Sequence, residues 1–242
     1  MSRAEPGVKR RVLIIWLVVF GIVLVVVAAA IIWLFVRPPH DSSVNSTSHP
    51  DPAITAQAYL DAIADGDADA ARAFDESSFD EYPVQNTGTT LLTNEALGSA
   101  VERISEVSVK LQGATEDSAT VATSFTLAGE KHTQSIYLVW ETESKTWQVE
   151  RSFASPISVS ADNGEPNGLR YLPFQVGDSD GLQQKADDKT LLGFVAYPAV
   201  YNLTVDLDAD QVDDIEANPL ERQVVVVPDQ DQFPVIKYTL VD

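Results

Sequence analysis

Residues Val12 to Val36 form one uninterrupted apolar run with no charged side chain, and Gly21 is its only interruption. At 1.5 Å per helical residue the run reaches about 37 Å, enough to cross a hydrocarbon core of ~30 Å with some tilt. Arg3, Lys9, Arg10 and Arg11 precede it, whereas Arg37 alone follows it at once. Basic residues are retained on the cytoplasmic side, so the sequence predicts a cytoplasmic tail at 1–11, a transmembrane helix at 12–36 and everything beyond Arg37 outside. A cleaved signal peptide would have an apolar core of about 7 to 15 residues ending in small residues. Ala28-Ala29-Ala30 supplies the small residues, but Ile31 to Val36 continues the apolar run past them. The expectation is therefore an uncleaved anchor, with Trp33 near its outer end and Trp16 nearer its inner end.

That anchor divides the charge of the chain. The formal net charge is −20, yet residues 1–37 hold five of the sixteen cations and one of the thirty-six acids. Eleven cations against thirty-five acids leave the remainder at −24. Such a surface repels nucleic acid, which proteins bind largely by neutralising phosphates with Lys and Arg. It also repels anionic headgroups and favours solubility. There is no cysteine. Disulfides, thiol nucleophiles, lipid attachment at cysteine and Cys-ligated zinc are all excluded, so the outer region must be held together by its core. About 190 residues are enough for that.

Residues 37–50 are rich in Pro, Ser and Thr and read as a short, semi-extended linker. Asp51-Pro52 then opens a helix, with Asp51 as cap and Pro52 at a position that needs no N–H. Ile54, Ala58, Tyr59, Ala62 and Ile63 predict its buried stripe, and Gly66 its end. Asp67 is placed to cap a second short helix through Ala70, Ala71 and Phe74. Thr93 is placed to cap a third, with Leu92 and Leu97 spaced as a hydrophobic staple.

From Glu106 the apolar period changes to two. Val107-Val109-Leu111, Val121 to Leu127, Ile136-Leu138-Trp140 and Trp147-Val149-Phe153 alternate with polar residues, separated by short polar turns. Alternation of this kind predicts a four-stranded antiparallel meander with one buried face, covered by the preceding helices. After Pro156 the stretches Ile157–Ser160, Leu169–Phe174, Thr190–Leu207, Gln223–Val227 and Val235–Val241 read as strands, with a helix only at Ala209 to Ala217. The expected architecture is thus a transmembrane α-helix, an α+β domain over 51–156 and an all-β sandwich-like domain over 157–242.

The segment Ala58-Tyr59-Leu60-Asp61-Ala62-Ile63-Ala64-Asp65-Gly66-Asp67-Ala68-Asp69-Ala70-Ala71 resembles the opening of NTF2-like (cystatin-like cone) domains, and Trp147-Gln148-Val149-Glu150-Arg151 resembles their last strand. The resemblance implies a curved sheet wrapped around a long helix with a pocket between them. Phe194 to Tyr201 is similar to the turn-then-strand of some bacterial envelope β domains. A cone behind one anchor resembles Mce-associated and VirB8-like membrane proteins, which implies protein contacts within an envelope assembly.

Candidate chemistry is sparse. His40 and His49 lie in the linker and His132 beside a strand, none spaced with another ligand as a metal or triad set requires. The run Asp206, Asp208, Asp210, Asp213, Asp214, Glu216 invites calcium, but the sixth and twelfth loop positions hold Gln211 and Ala217 where glycine and a bidentate glutamate are needed. Asn45-Ser46-Thr47 and Asn202-Leu203-Thr204 match the glycosylation pattern, which matters only in a eukaryotic secretory route. Some cone-shaped enzymes, ketosteroid isomerase and limonene epoxide hydrolase among them, place a carboxylate in an apolar cavity. Tyr59, Tyr137 and Asp61 are the polar residues placed to turn inward, and the strands carry no inward acid. The sequence thus predicts no catalysis, no cofactor and no metal. It predicts a membrane-anchored extracytoplasmic binding or scaffold protein of the bacterial envelope, with the bilayer and envelope proteins as partners and no nucleic acid. The alternative is a binder or sensor of a small apolar ligand in a pocket lined by Tyr59, Ile63, Phe125, Leu138, Trp140 and Trp147. A cone-fold isomerase or hydrolase is the third reading.

Overall fold

The computed structural model describes residues 49–81, 87–162, 170–177, 183–184, 193–213, 216, 219–228 and 234–240. The expected anchor at 12–36 and most of the linker lie outside them. Among the described residues no helix is long and apolar enough to cross a membrane.

Helix α1 (Pro52–Asp65) starts as its sequence requires. Asp51 accepts the Ala53 N–H at 2.9 Å, and Pro52 fills the first turn. Gly66 ends it with φ of 85°, a conformation that costs glycine little, and the Asp67 N–H closes onto the Ala62 carbonyl at 2.9 Å. The buried face differs from the expected stripe. Pro52, Ala56, Tyr59, Leu60, Ala62 and Ile63 are buried, Ala58 is exposed and Ile54 is 68% exposed. The stripe is rotated because Pro52 and Ala56, rather than Ile54 and Ala58, share the face of Tyr59 and Ile63.

Helix α2 (Ala68–Glu81) runs well past Phe74. Asp67 caps it, accepting the Ala70 N–H at 3.0 Å. Helix α3 (Asn94–Gly98) is capped by Thr93, and the staple pair Leu92 and Leu97 is fully buried.

The meander read from the period of two is present as β3 (Ser105–Ala114), β4 (Ser118–Leu127), β5 (Glu130–Glu141) and β6 (Thr146–Val149), paired in that order. Val121, Phe125, Leu127, Ile136, Leu138, Trp147 and Val149 form the inner face and are essentially inaccessible. Burying each large apolar side chain contributes about 1.5–3 kcal/mol, so this face anchors the helical layer.

Two further sheets complete the unit. One follows the order β1 (Thr87–Gly88), β11 (Gly193–Ala196), β7 (Ser155–Asp162), β14 (Val235–Thr239), with β8 (Arg170–Tyr171) also on β7. The other follows β10 (Gln183–Gln184), β9 (Phe174–Val176), β12 (Ala199–Val205), β13 (Glu221–Val226), with β2 (Glu102–Arg103) also on β12. A Cβ on Gly193 would collide with the Ile157 carbonyl oxygen, so β11 lies against β7 only because that position is glycine.

This architecture corrects the expected fold class. In place of an α+β cone followed by a separate all-β sandwich, the described residues form a mostly β unit of three sheets, none of them closed, with three α-helices. The sheets also cross the expected boundary. Thr87–Gly88 pairs with Gly193–Phe194, and Glu102–Arg103 pairs with Val200 and Ala199. Such two-residue strands have no period of their own, so their pairing is set by the chain they meet. The long strand expected over Thr190–Leu207 is two strands, β11 and β12, broken at Tyr197-Pro198 because proline supplies no ladder donor. The strand expected over Leu169–Phe174 is likewise two, broken at Leu172-Pro173. Of the helix expected from Ala209, a single 3₁₀ turn over Ala209–Gln211 is present.

Candidate functional site

Three hydroxyl side chains from three segments converge on one buried carboxyl group. Asp75 projects from the inner face of α2, the face that also carries Ala68, Ala71 and Ser78, and its exposure is 0%. Tyr59 of α1 donates its hydroxyl to Asp75 Oδ2 at 2.8 Å. Ser152, between β6 and β7, donates to the same oxygen at 2.5 Å. Tyr197, in the turn between β11 and β12, donates to Oδ1 at 3.0 Å and to Oδ2 at 3.2 Å.

The donors are themselves held. The Tyr59 oxygen accepts the Phe153 N–H at 2.9 Å, and Ser152 Oγ accepts the Ala154 N–H at 3.0 Å. Tyr201 donates to the Tyr197 carbonyl at 2.9 Å. Around Tyr59 the rings of Phe74, Phe153 and Tyr197 pack edge-on, with centroids 5.9–6.4 Å away. Buried polar groups are normally paired in this way because an unpaired one costs about 1–3 kcal/mol.

Burial raises the Asp75 carboxyl above its ordinary 3.8; the hydrogen bonds from Ser152, Tyr59 and Tyr197 and the Arg72 charge oppose that rise without cancelling it. Arg72, one turn back on α2, directs Nη2 to Glu76 at 3.2 Å, while its Nε is buried without a hydrogen-bond partner. Burial and the nearby carboxylate push the Tyr59 hydroxyl far up, and Tyr197 rises likewise, through burial, then Tyr59 and Asp75. Both phenols therefore stay protonated and donate to Asp75. The cluster can hold or release one proton at Asp75, and its oxygens are already occupied by protein hydroxyls.

The six residues expected to line a pocket are brought together, largely as core. Tyr59, Ile63, Phe125, Leu138 and Trp147 are at most 1% exposed, and Trp140 is half-buried. The Phe125 ring lies beside Phe153 and stacks on His132 at 5.4 Å. Trp140 and Trp147 meet edge-on at 5.3 Å. Trp147 also lines a half-open cleft of ≈ 200 Å³ with Pro50, Thr55, Phe74, Lys145 and Gln148. The chain enters the folded unit along its rim. His49 stacks on Trp140 at 3.7 Å, and Trp147 Nε1 donates to the Pro50 carbonyl at 2.8 Å. A second, polar depression of ≈ 370 Å³ includes Asn202, Thr204, Glu221, Arg222 and Gln223. Asp75 lines neither.

The other sequence candidates are dispersed. Tyr137 is 48% exposed on the outer face of β5. Asp61 is exposed and accepts from Gln57 at 2.7 Å. In the acidic run, Asp206, Asp208, Asp210, Asp213 and Glu216 are exposed, and Asp214 lies outside the described residues. Among the described residues no group of three or more His, Cys, Asp or Glu is placed to hold a metal ion. The residue that sequence reasoning missed is Asp75. It lies one position beyond the expected end of the second helix, and its signal is its place in the spacing Ala68, Ala71, Asp75, Ser78, the inward stripe of a helix. No protein-family model matches the chain, and no curated protein is significantly similar to it.

Proposed function

We propose that this chain is a membrane-anchored, extracytoplasmic binding or scaffold protein of a bacterial envelope and performs no catalysis. The anchor is residues 12–36, oriented by the basic cluster before them. The observation that carries the binding role is the outer face of the four-stranded sheet. There Thr120, Ala122 and Ser124 stand opposite Tyr137, Ser135 and Thr133, a hydroxyl-rich patch free of acids, with Lys110 of β3 paired to Ala122, on a chain of net charge −20. Tyr137, 48% exposed, supplies the aromatic anchor typical of protein contacts. Against catalysis stands Asp75, whose oxygens are taken by Tyr59, Ser152 and Tyr197.

A photo-crosslinker at position 137 in intact cells tests the reading. The expected result is a discrete adduct with another envelope protein that is lost when the crosslinker is moved to exposed Ile54. Recovery of monomer alone from both positions contradicts it.

A further inference from the structure

We propose that Asp75, Tyr59, Ser152 and Tyr197 form a proton-controlled latch that holds the β11–β12 turn and the β6–β7 link onto helices α1 and α2, tight when Asp75 is protonated and loosened when it ionises. The geometry places one carboxyl group where every segment must come to it. Tyr59 brings α1, Asp75 brings α2, Ser152 brings the link after β6, and Tyr197 brings the turn, 122 residues from Asp75 in sequence. No other side chain in the cluster can change charge at ordinary pH, since both phenols are held protonated.

Among the described residues the charged group acting on Asp75 is Arg72 of the same helix; from α1, the link and the turn the groups that meet it are the neutral Tyr59, Ser152 and Tyr197. The guanidinium is directed to Glu76 and acts on Asp75 only through space, so among the described residues an ionised Asp75 is a buried anion held by hydroxyl dipoles with no directly bound cation. The three donated hydroxyls favour the ionised form, but removing an unpaired charge from water costs more than they return, so burial sets the balance toward the neutral acid. Loss of the proton therefore weakens the junction on which three segments depend. The linkage is limited to one proton, so its strength changes by at most about tenfold per pH unit.

Two backbone amides report the latch directly, because Phe153 N–H is bonded to Tyr59 and Ala154 N–H to Ser152. Their hydrogen exchange is to be measured on the full chain in detergent micelles from about pH 4 to about pH 8, corrected for intrinsic rates, with the Val121 amide of β4 as control. The expected result is that protection of Phe153 and Ala154 falls by about tenfold or more across that range while Val121 changes less. Asp75→Asn should flatten the profile. Tyr197→Phe removes a hydrogen bond that favours the carboxylate, and should move the midpoint to higher pH. Flat wild-type profiles, an equal fall at Val121, or an unshifted midpoint in Tyr197→Phe would each overturn the latch. The last of these decides the matter even if Asp75→Asn does not fold.

Discussion

The Tyr197 hydroxyl donates to Asp75 Oδ1 at 3.0 Å, joining the turn between β11 and β12 to the inner face of α2. Closing a loop of that length is entropically costly, but the cost grows slowly with length and is shared by the packing around it. The contact therefore ties the helical layer to the distant β strands.

Tyr59→Phe and Tyr197→Phe should each destabilise the protein. The first change strands the Phe153 N–H, while Asp75 Oδ2 keeps Ser152 and Tyr197; the second strands Asp75 Oδ1, whose donor among the described residues is Tyr197. Stranding a buried polar group costs about 1–3 kcal/mol. Urea unfolding of the two variants measures the loss, and a wild-type midpoint in either would count against the role assigned to that tyrosine.

Stability should depend on pH through Asp75. Its carboxyl is raised in the folded state by burial, so between its unfolded value of about 3.9 and its higher folded value the native state binds the extra proton. The contribution of Asp75 is then fully present below the unfolded value and is lost as pH rises through the folded one. Thermal melts should show this loss in the wild type, with a slope of at most about 1.4 kcal/mol per pH unit from this group, and Asp75→Asn should lack it. A wild type that gains stability from Asp75 over that range would contradict the sign.

Trp147→Phe should free the chain at its entry. The indole N–H holds the Pro50 carbonyl at 2.8 Å, and His49 is stacked on Trp140 beside it. Limited proteolysis should cut near His49–Asp51 several-fold faster in the variant, and an unchanged rate would show that the stacked His49 alone fixes this segment.

Gly193→Ala should be severe despite its size. The added Cβ meets the Ile157 carbonyl oxygen, and backbone cannot move aside as a side chain can. Overpacking of this kind costs about 1–3 kcal/mol, measurable as a lowered melting temperature. A neutral substitution would mean that β11 and β7 separate freely.

Local rules carried the elements, and long-range pairing decided the architecture. Asp51, Asp67 and Thr93 were legible as caps because capping is set within three residues. The alternation in β4 was legible because one face is buried. What the sequence concealed was the pairing of Thr87–Gly88 and Glu102–Arg103 with strands about a hundred residues away. Asp75 was half-legible. Helical spacing puts it on the buried stripe of α2, yet nothing local announces that Tyr197 will reach it. Ile54 shows the opposite error, since apolar character alone placed inward a side chain that the packing of Pro52 and Ala56 leaves outside.

The absence of cysteine makes the central claim directly measurable, because one introduced thiol is the only one in the chain. Ser2→Cys and Tyr137→Cys are to be treated in whole cells with a maleimide that crosses the outer layers but not the cytoplasmic membrane. The account predicts that Tyr137→Cys is labelled and Ser2→Cys is labelled only after lysis. Labelling of Ser2→Cys in intact cells, or protection of Tyr137→Cys until lysis, would contradict an anchored chain whose acidic bulk lies outside.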